Sequence, residues 1–210
     1  MKSSSSPTHS TDAAMLHLYL ARHGQTIENT KHLLQGHLPG CLTPEGKQQM
    51  HLLGQLLTAA GWKFDALLCS DLQRAQDSAA LLGQKSTFIP LAMLRERNWG
   101  PLTGLPVNSL TPNAPLPSGV ESTEAMQQRA AQVVSYLLTT YRSGQHVLCL
   151  GHGLFNRFIA AAICGTTYRQ IPRFINASCR HYIVKELGNG QMKEEIAAFA
   201  THDSPTLQQS

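Results

Sequence analysis

Arg22-His23-Gly24 and Gly151-His152-Gly153 are two places where this chain sets an imidazole beside glycine directly after an apolar run. Leu16 to Leu20 leads into the first, and Val147 to Leu150 leads into the second. These residue types suit phosphate chemistry. Histidine serves as a nucleophile when its other ring nitrogen is fixed by a hydrogen bond. A guanidinium fork, such as Arg22 or Arg74 offers, matches phosphate oxygens bidentately and stays charged at any working pH. A carboxylic acid such as Glu96 can protonate a leaving oxygen. Gathered at one point, Arg22, His23, Arg74, Glu96 and His152 would trap an anion and carry a phosphoryl group on histidine. A lone Arg-His dipeptide more often decorates a surface, so the set carries the reading.

Position along the chain is consistent with such a gathering. Apolar runs buried on both faces read as interior strands of a parallel sheet. Ligands of open α/β sheets bind just beyond the carboxyl ends of their strands. Both His-Gly pairs fall there. Phe64 to Cys69 reads as a second strand, followed by a helix to about Gly83 with Ser70 as its N-cap and Arg74 in its early turns. Thr43 caps another helix, with Pro44 at its first position and a stop at Gly61. Thr87 to Ile89 reads as a short strand, and Glu121 to Tyr141 and about Phe155 to Cys164 read as helices. Arg180–Glu186 and Gln191–Phe199 read as a hairpin closed at Gly188-Asn189-Gly190. Leu94 to Gly119 is irregular and rich in Pro, Gly and Asn; a loop of that length is usually a lid or a substrate-binding segment. The alternation predicts a three-layer αβα sandwich with a mostly parallel sheet and an antiparallel edge strand.

Composition narrows the partners. The chain has 210 residues, 42% hydrophobic and 14% charged, with a formal net charge of +4. That length suits a single domain, placed here at residues 14–200, between disordered tails at 1–13 and 201–210. The mild positive charge, without a basic run or interleaved aromatics, favours a small anionic ligand over nucleic acid. No apolar stretch is long enough for a bilayer, and the Ser/Thr-rich start is no secretory signal. Five cysteines without CxxC spacing point to a reducing, cytoplasmic setting. The histidines lack HExxH or similar ligand spacing, so no metal and no cofactor is expected.

In order, Arg22-His23-Gly24-Gln25-Thr26 with Asn29, Gln35-Gly36, Leu42-Thr43 with Gly46, Ser70-Asp71-Leu72-Gln73-Arg74-Ala75, Leu94-Arg95-Glu96-Arg97-Asn98-Trp99-Gly100, Gly119 with Glu121-Ser122, and Gly151-His152-Gly153 resemble the histidine phosphatase superfamily, in its phosphoglycerate mutase-like branch. The resemblance implies that His23 is phosphorylated, that Arg22, Arg74 and His152 hold the phosphoryl group, and that Glu96 donates the proton. It implies a phosphate-pocket neighbour in Asn29 and a metal-free phosphomonoesterase acting on a small phosphorylated metabolite, as monomer or homodimer. Gln35, Gly36, Arg97 and Gly153 join Asn29 as candidate substrate contacts. Gln25 stands where relatives more often have Glu, and Pro39 and Cys41 depart from the usual loop before Leu-Thr. The segment 104–119 is short and lacks the mutases' basic residues, which favours phosphatase over mutase. A phosphate-binding module without activity is a third reading, disfavoured because all five catalytic types are present.

Other residues read more plainly. His17 in an apolar strand reads as a core histidine. Arg97 reads equally as a salt-bridging lid residue or a substrate contact. Trp99 and Phe155 either wall the pocket or cover the core.

Overall fold

Leu16–Arg22 forms β1, whose side chains alternate between two apolar layers. The computed structural model describes residues 15–111 and 114–197, so the expected tails lie outside the described residues. Helices α1 (Ile27–Thr30) and α2 (Pro44–Ala59) follow, then β2 (Ala66–Ser70), α3 (Gln73–Leu81) and β3 (Ile89–Leu91). Three single 3₁₀ turns between 92 and 109 lead to α4 (Thr123–Thr140), β4 (His146–Gly151), α5 (Gly153–Cys164), β5 (Ser178–Glu186) and β6 (Asn189–Ala197).

The described strands form one sheet in the order β3-β2-β4-β1-β5-β6. β1, β2, β3 and β4 run parallel, and β5 and β6 add an antiparallel hairpin beside β1. Leu16, Leu18 and Leu20 of β1 pack with Val133, Val134 and Phe158 of α4 and α5. Tyr19 and Ala21 point to the other layer, against Met50, Leu53 and Ala75 of α2 and α3. A strand buried on both faces has no polar positions, which is why β1 and β4 read as continuous apolar runs. The register pairs Arg22 with Gly151, so the next residues, His23 and His152, leave the sheet side by side.

Several boundaries differ from the expectations. Ser70 ends β2 rather than capping α3; its hydroxyl accepts from the Leu72 N–H, and the helix begins at Gln73 without a side-chain cap. The Arg74 N–H instead donates to the Pro39 carbonyl, tying the loop before α2 to the helix start. β3 lies two residues later than expected because Pro90, lacking an N–H, fits an edge strand. The hairpin turn is Leu187-Gly188, with Gly188 at φ +79° and its N–H on the Ala162 carbonyl. Asn189 and Gly190 already belong to β6, and Thr43 caps α2 as expected.

Candidate active site

The carboxyl ends of β1 and β4 deliver the two imidazoles. His23 is buried, and its N–H donates to the Gly151 carbonyl at 3.1 Å. Its Nδ1 lies 2.7 Å from the Gly24 carbonyl, which can only accept, so Nδ1 carries the proton. Nε2 is then a bare lone pair, and Arg74 Nε donates to it at 3.3 Å. The His152 ring is edge-on to that of His23, centroids 5.2 Å apart, and neither of its nitrogens has a hydrogen-bond partner among the described residues.

Each cation is held by backbone carbonyls. Arg22 Nη1 donates to Phe174 at 2.7 Å, leaving its buried Nε without a partner. Arg74 donates to the carbonyls of Leu38 and Gly36. Holding both guanidinium groups this way leaves their charge uncancelled by a paired carboxylate. Burial lowers both to about 10, still protonated at neutral pH. Burial first, then the charges of Arg74 and Arg22, pushes His23 well below its ordinary value. His152 moves the same way, from burial and then Arg74, His23 and Arg22. Both imidazoles are neutral at pH 7.

Glu96 approaches from the other side. Its Oε2 accepts from the Leu154 N–H at 3.0 Å, and Oε1 accepts from Phe155 and Arg97 N–H groups at 3.1 and 2.8 Å. Two of these donors lie in the first turn of α5, where unpaired amides and the helix dipole favour an oxygen ligand. Gly153 opens that helix because a Cβ there would stand 3.1 Å from the Arg22 guanidinium. These groups meet at a cavity of about 370 Å³, which Arg22, His23, Arg74 and Glu96 line together.

Of the expected substrate contacts, Asn29, Gln35, Gly36 and Gly153 also line this cavity. Asn29 Oδ1 accepts from Thr26 N–H and Asn176 Nδ2, and Gln35 Oε1 accepts from Thr26 Oγ1. Arg97 is not brought to it. Its guanidinium is buried against the Trp99 and Phe158 rings and donates to Thr123 Oγ1, so it braces the start of α4. Trp99 lines the cavity, whereas Phe155 belongs to the core. Val107 and Leu110 place the irregular segment on the cavity wall. Sequence reasoning missed Arg157, Arg173 and Phe174, which come from α5 and the stretch after it. Only the clustering of arginines between 157 and 180 could have flagged that stretch. Among the described residues no group of three or more His, Cys, Asp or Glu side chains could hold a metal ion.

Residues 18–197 match the profile of the histidine phosphatase superfamily, branch 1. The chain belongs to that superfamily. A probable phosphoglycerate mutase of Yersinia pestis is 31% identical over 92% of this chain and 98% of its own. A broad-specificity phosphatase of Saccharomyces cerevisiae is 36% identical over 46% of this chain and 44% of its own. Among solved structures, the α-ribazole phosphatase of Shigella flexneri shares the fold with a TM-score of 0.76, at 22% identity over 90% of this chain and 100% of that one. For this histidine phosphatase superfamily member, the fold expected from sequence and the one observed agree, including the antiparallel pair at one edge. No described helix is long and apolar enough to cross a membrane.

Proposed function

We propose that this chain is a metal-independent phosphomonoesterase that hydrolyses a small phosphorylated metabolite through a phosphohistidine on His23. The observation that carries the reading is the His23 ring, with its Nδ1 proton held by Gly24 and its Nε2 lone pair beside the Arg74 guanidinium. Nε2 attacks phosphorus, the P–O ester bond breaks, and the departing oxygen takes a proton from Glu96. Oε2 carries that proton best, since it accepts one backbone N–H where Oε1 accepts two. Water then attacks the phosphohistidine, Glu96 takes its proton, and phosphate leaves with His23 restored. Arg22, Arg74 and His152 hold the phosphoryl oxygens throughout, as preorganised donors that need no rearrangement at the moment of reaction.

The named Yersinia relative favours a mutase reading, in which the phosphoryl group returns to an acceptor alcohol. The short segment 104–119 argues against it, and the same experiment separates the two. Five free cysteines, three of them buried, suit the reducing, cytoplasmic setting inferred from sequence.

Rapid quench with 32P-labelled substrate should trap label that is stable to base and lost in acid, the signature of a phosphoramidate. His23→Ala should trap none, and exhaustive chelation should leave the wild-type yield unchanged. Equal labelling of the His23 variant would falsify the assignment. Label passing to phosphoglycerate faster than to water would make the chain a mutase.

A further inference from the structure

The stretch between α5 and β5 brings more arginine to the cavity than the phosphoryl pocket uses. Four successive carbonyls of this stretch are fixed by guanidinium groups from three elements. Arg157 of α5 donates from Nε to Ile171 at 2.9 Å. Arg180 of β5 donates to Pro172 at 2.8 Å and to Arg173 at 2.9 Å. Arg22 of β1 donates to Phe174. A segment clamped this way presents its side chains in one place.

Arg173 rides on that clamped segment and lines the same cavity as His23. Its guanidinium has no hydrogen bond or ion pair among the described residues, whereas Arg180 is paired with Glu195 at 3.0 Å. Arg157 lines the cavity next to it, and the charge of Arg173, after burial, lowers its pKa. Like charges brought together without a carboxylate are costly unless an anion joins them. The cavity is lined by four arginines against one acidic side chain, Glu96. A phosphate dianion at Arg22 and Arg74 accounts for two of them. Leu33, Leu34, Val107 and Leu110 also line this cavity and offer an apolar surface to a short carbon chain.

We infer that Arg173, with Arg157 beside it, forms a second anion subsite, and that the natural substrate is a small phosphomonoester whose alcohol portion carries a carboxylate or a second phosphate. The inference rests on the phosphomonoesterase reading of the same cavity. Carboxylate and phosphate both match a guanidinium fork, and the clamped backbone holds the base of the Arg173 side chain at the cavity while leaving its guanidinium free to close on either anion.

Three probes with one three-carbon skeleton test it: propyl phosphate, 3-phosphonooxypropanoate and propane-1,3-diol bisphosphate. Charged hydrogen bonds of this kind are strong enough for wild type to favour at least one anionic probe over propyl phosphate by about tenfold in kcat/KM. The larger of the two ratios identifies the second group as carboxylate or phosphate. Arg173→Gln should collapse the ratio to about one, Arg173→Glu should invert it, and Arg173→Lys should keep part of it, mostly through KM. Added salt should lower the wild-type ratio and leave that of Arg173→Gln flat. Hydrolysis of all three probes with no preference in wild type, or with the preference intact in Arg173→Gln, overturns the subsite and leaves the phosphatase reading standing. No phosphate from any probe, nor from p-nitrophenyl phosphate, overturns both.

Discussion

Burial acts differently on the two kinds of base at this site, and the proposed chemistry depends on that difference. A buried guanidinium starts so high that its loss still leaves Arg22 and Arg74 charged at neutral pH. A buried imidazole starts near neutrality, so the same cost leaves His23 and His152 uncharged, and a neutral Nε2 is what a nucleophile needs. Under the proposed mechanism, loss of kcat/KM through protonation of His23 is expected below the pH range of an ordinary histidine, as a pH–rate profile would read. In the proposed mechanism Glu96 gives its proton to the leaving oxygen in the first step, which makes its contribution to that step depend on the substrate. An alkoxide needs a proton in the transition state and a nitrophenolate hardly does. Glu96→Gln should slow phosphorylation of His23 by alkyl phosphates about 10²–10⁴-fold while largely sparing p-nitrophenyl phosphate. Burst kinetics read this step separately from hydrolysis of the phosphoenzyme. Equal losses for both leaving groups would move the acid role away from Glu96.

Glu96 sits on no helix or strand, so its position has to be imposed by neighbouring elements. Arg129 of α4 does this. Its Nη1 donates to the carbonyls of Met93 and Arg95, and its Nε and Nη2 close on Glu121 at 2.9 and 2.8 Å. The guanidinium also lies 3.7 Å from the centre of the Phe155 ring, on the helix whose first turn holds the Glu96 carboxylate. Arg129→Gln leaves Glu121 half-buried without its partner and frees the turn. We expect it to cost about 2–3 kcal/mol in urea unfolding. Among folded molecules it should also slow alkyl phosphates more than p-nitrophenyl phosphate, with Arg129→Lys partly restoring stability but not the discrimination. A uniform loss across leaving groups would leave Arg129 with a structural role only.

Across the whole molecule, the central strands carry a second set of histidines, set back along β1 from the cavity end. His17 stacks on His146 at 4.2 Å, and Tyr19 stacks on His181 at 4.3 Å, joining β4, β1 and β5. His17 Nδ1 lies 2.9 Å from His181 Nε2. Burial, followed by His17, His146 and Lys193, lowers His181 to about 4, while Glu194 lies 3.5 Å from its Nδ1. A histidine depressed in the native state binds its proton preferentially when unfolded. Its contribution is therefore complete above pH 6.5 and is lost as pH falls from 6.5 towards 4. A shift of that size is about 3 kcal/mol at full burial. The Glu194 carboxylate beside it, itself half exposed, offsets part of this and leaves on the order of 1–2 kcal/mol. Urea midpoints should therefore fall between pH 7 and pH 4.5 by more in wild type than in His181→Gln. Parallel curves would show that the stack titrates without consequence for folding.

Local signals were enough for the strands and helices, because each depends on neighbours in sequence, and they marked five candidate residues for the proposed site. Apolar runs on both sides of a sheet, Thr43 before Pro44, and a glycine after each histidine are short-range facts. What these signals could not carry was anything set by a partner distant along the chain. Ser70 has the chemistry of a cap, yet the hydroxyl serves a strand end, and Pro39 satisfies the helix start in its place. Arg97 stands next to Glu96 in sequence, but the backbone turns it into the rings of Trp99 and Phe158. Arg157, Arg173 and Phe174 belong to no motif and reach the cavity only because the 171–174 carbonyls are tied to three separate elements. The sequence by itself determined the fold class and placed two candidate His-Gly pairs at its strand ends. The tertiary structure decided the Nε2 lone pair of His23, the His152 nitrogens left without a partner among the described residues, and the extra arginines, because a hydrogen-bond partner is chosen by distance in space.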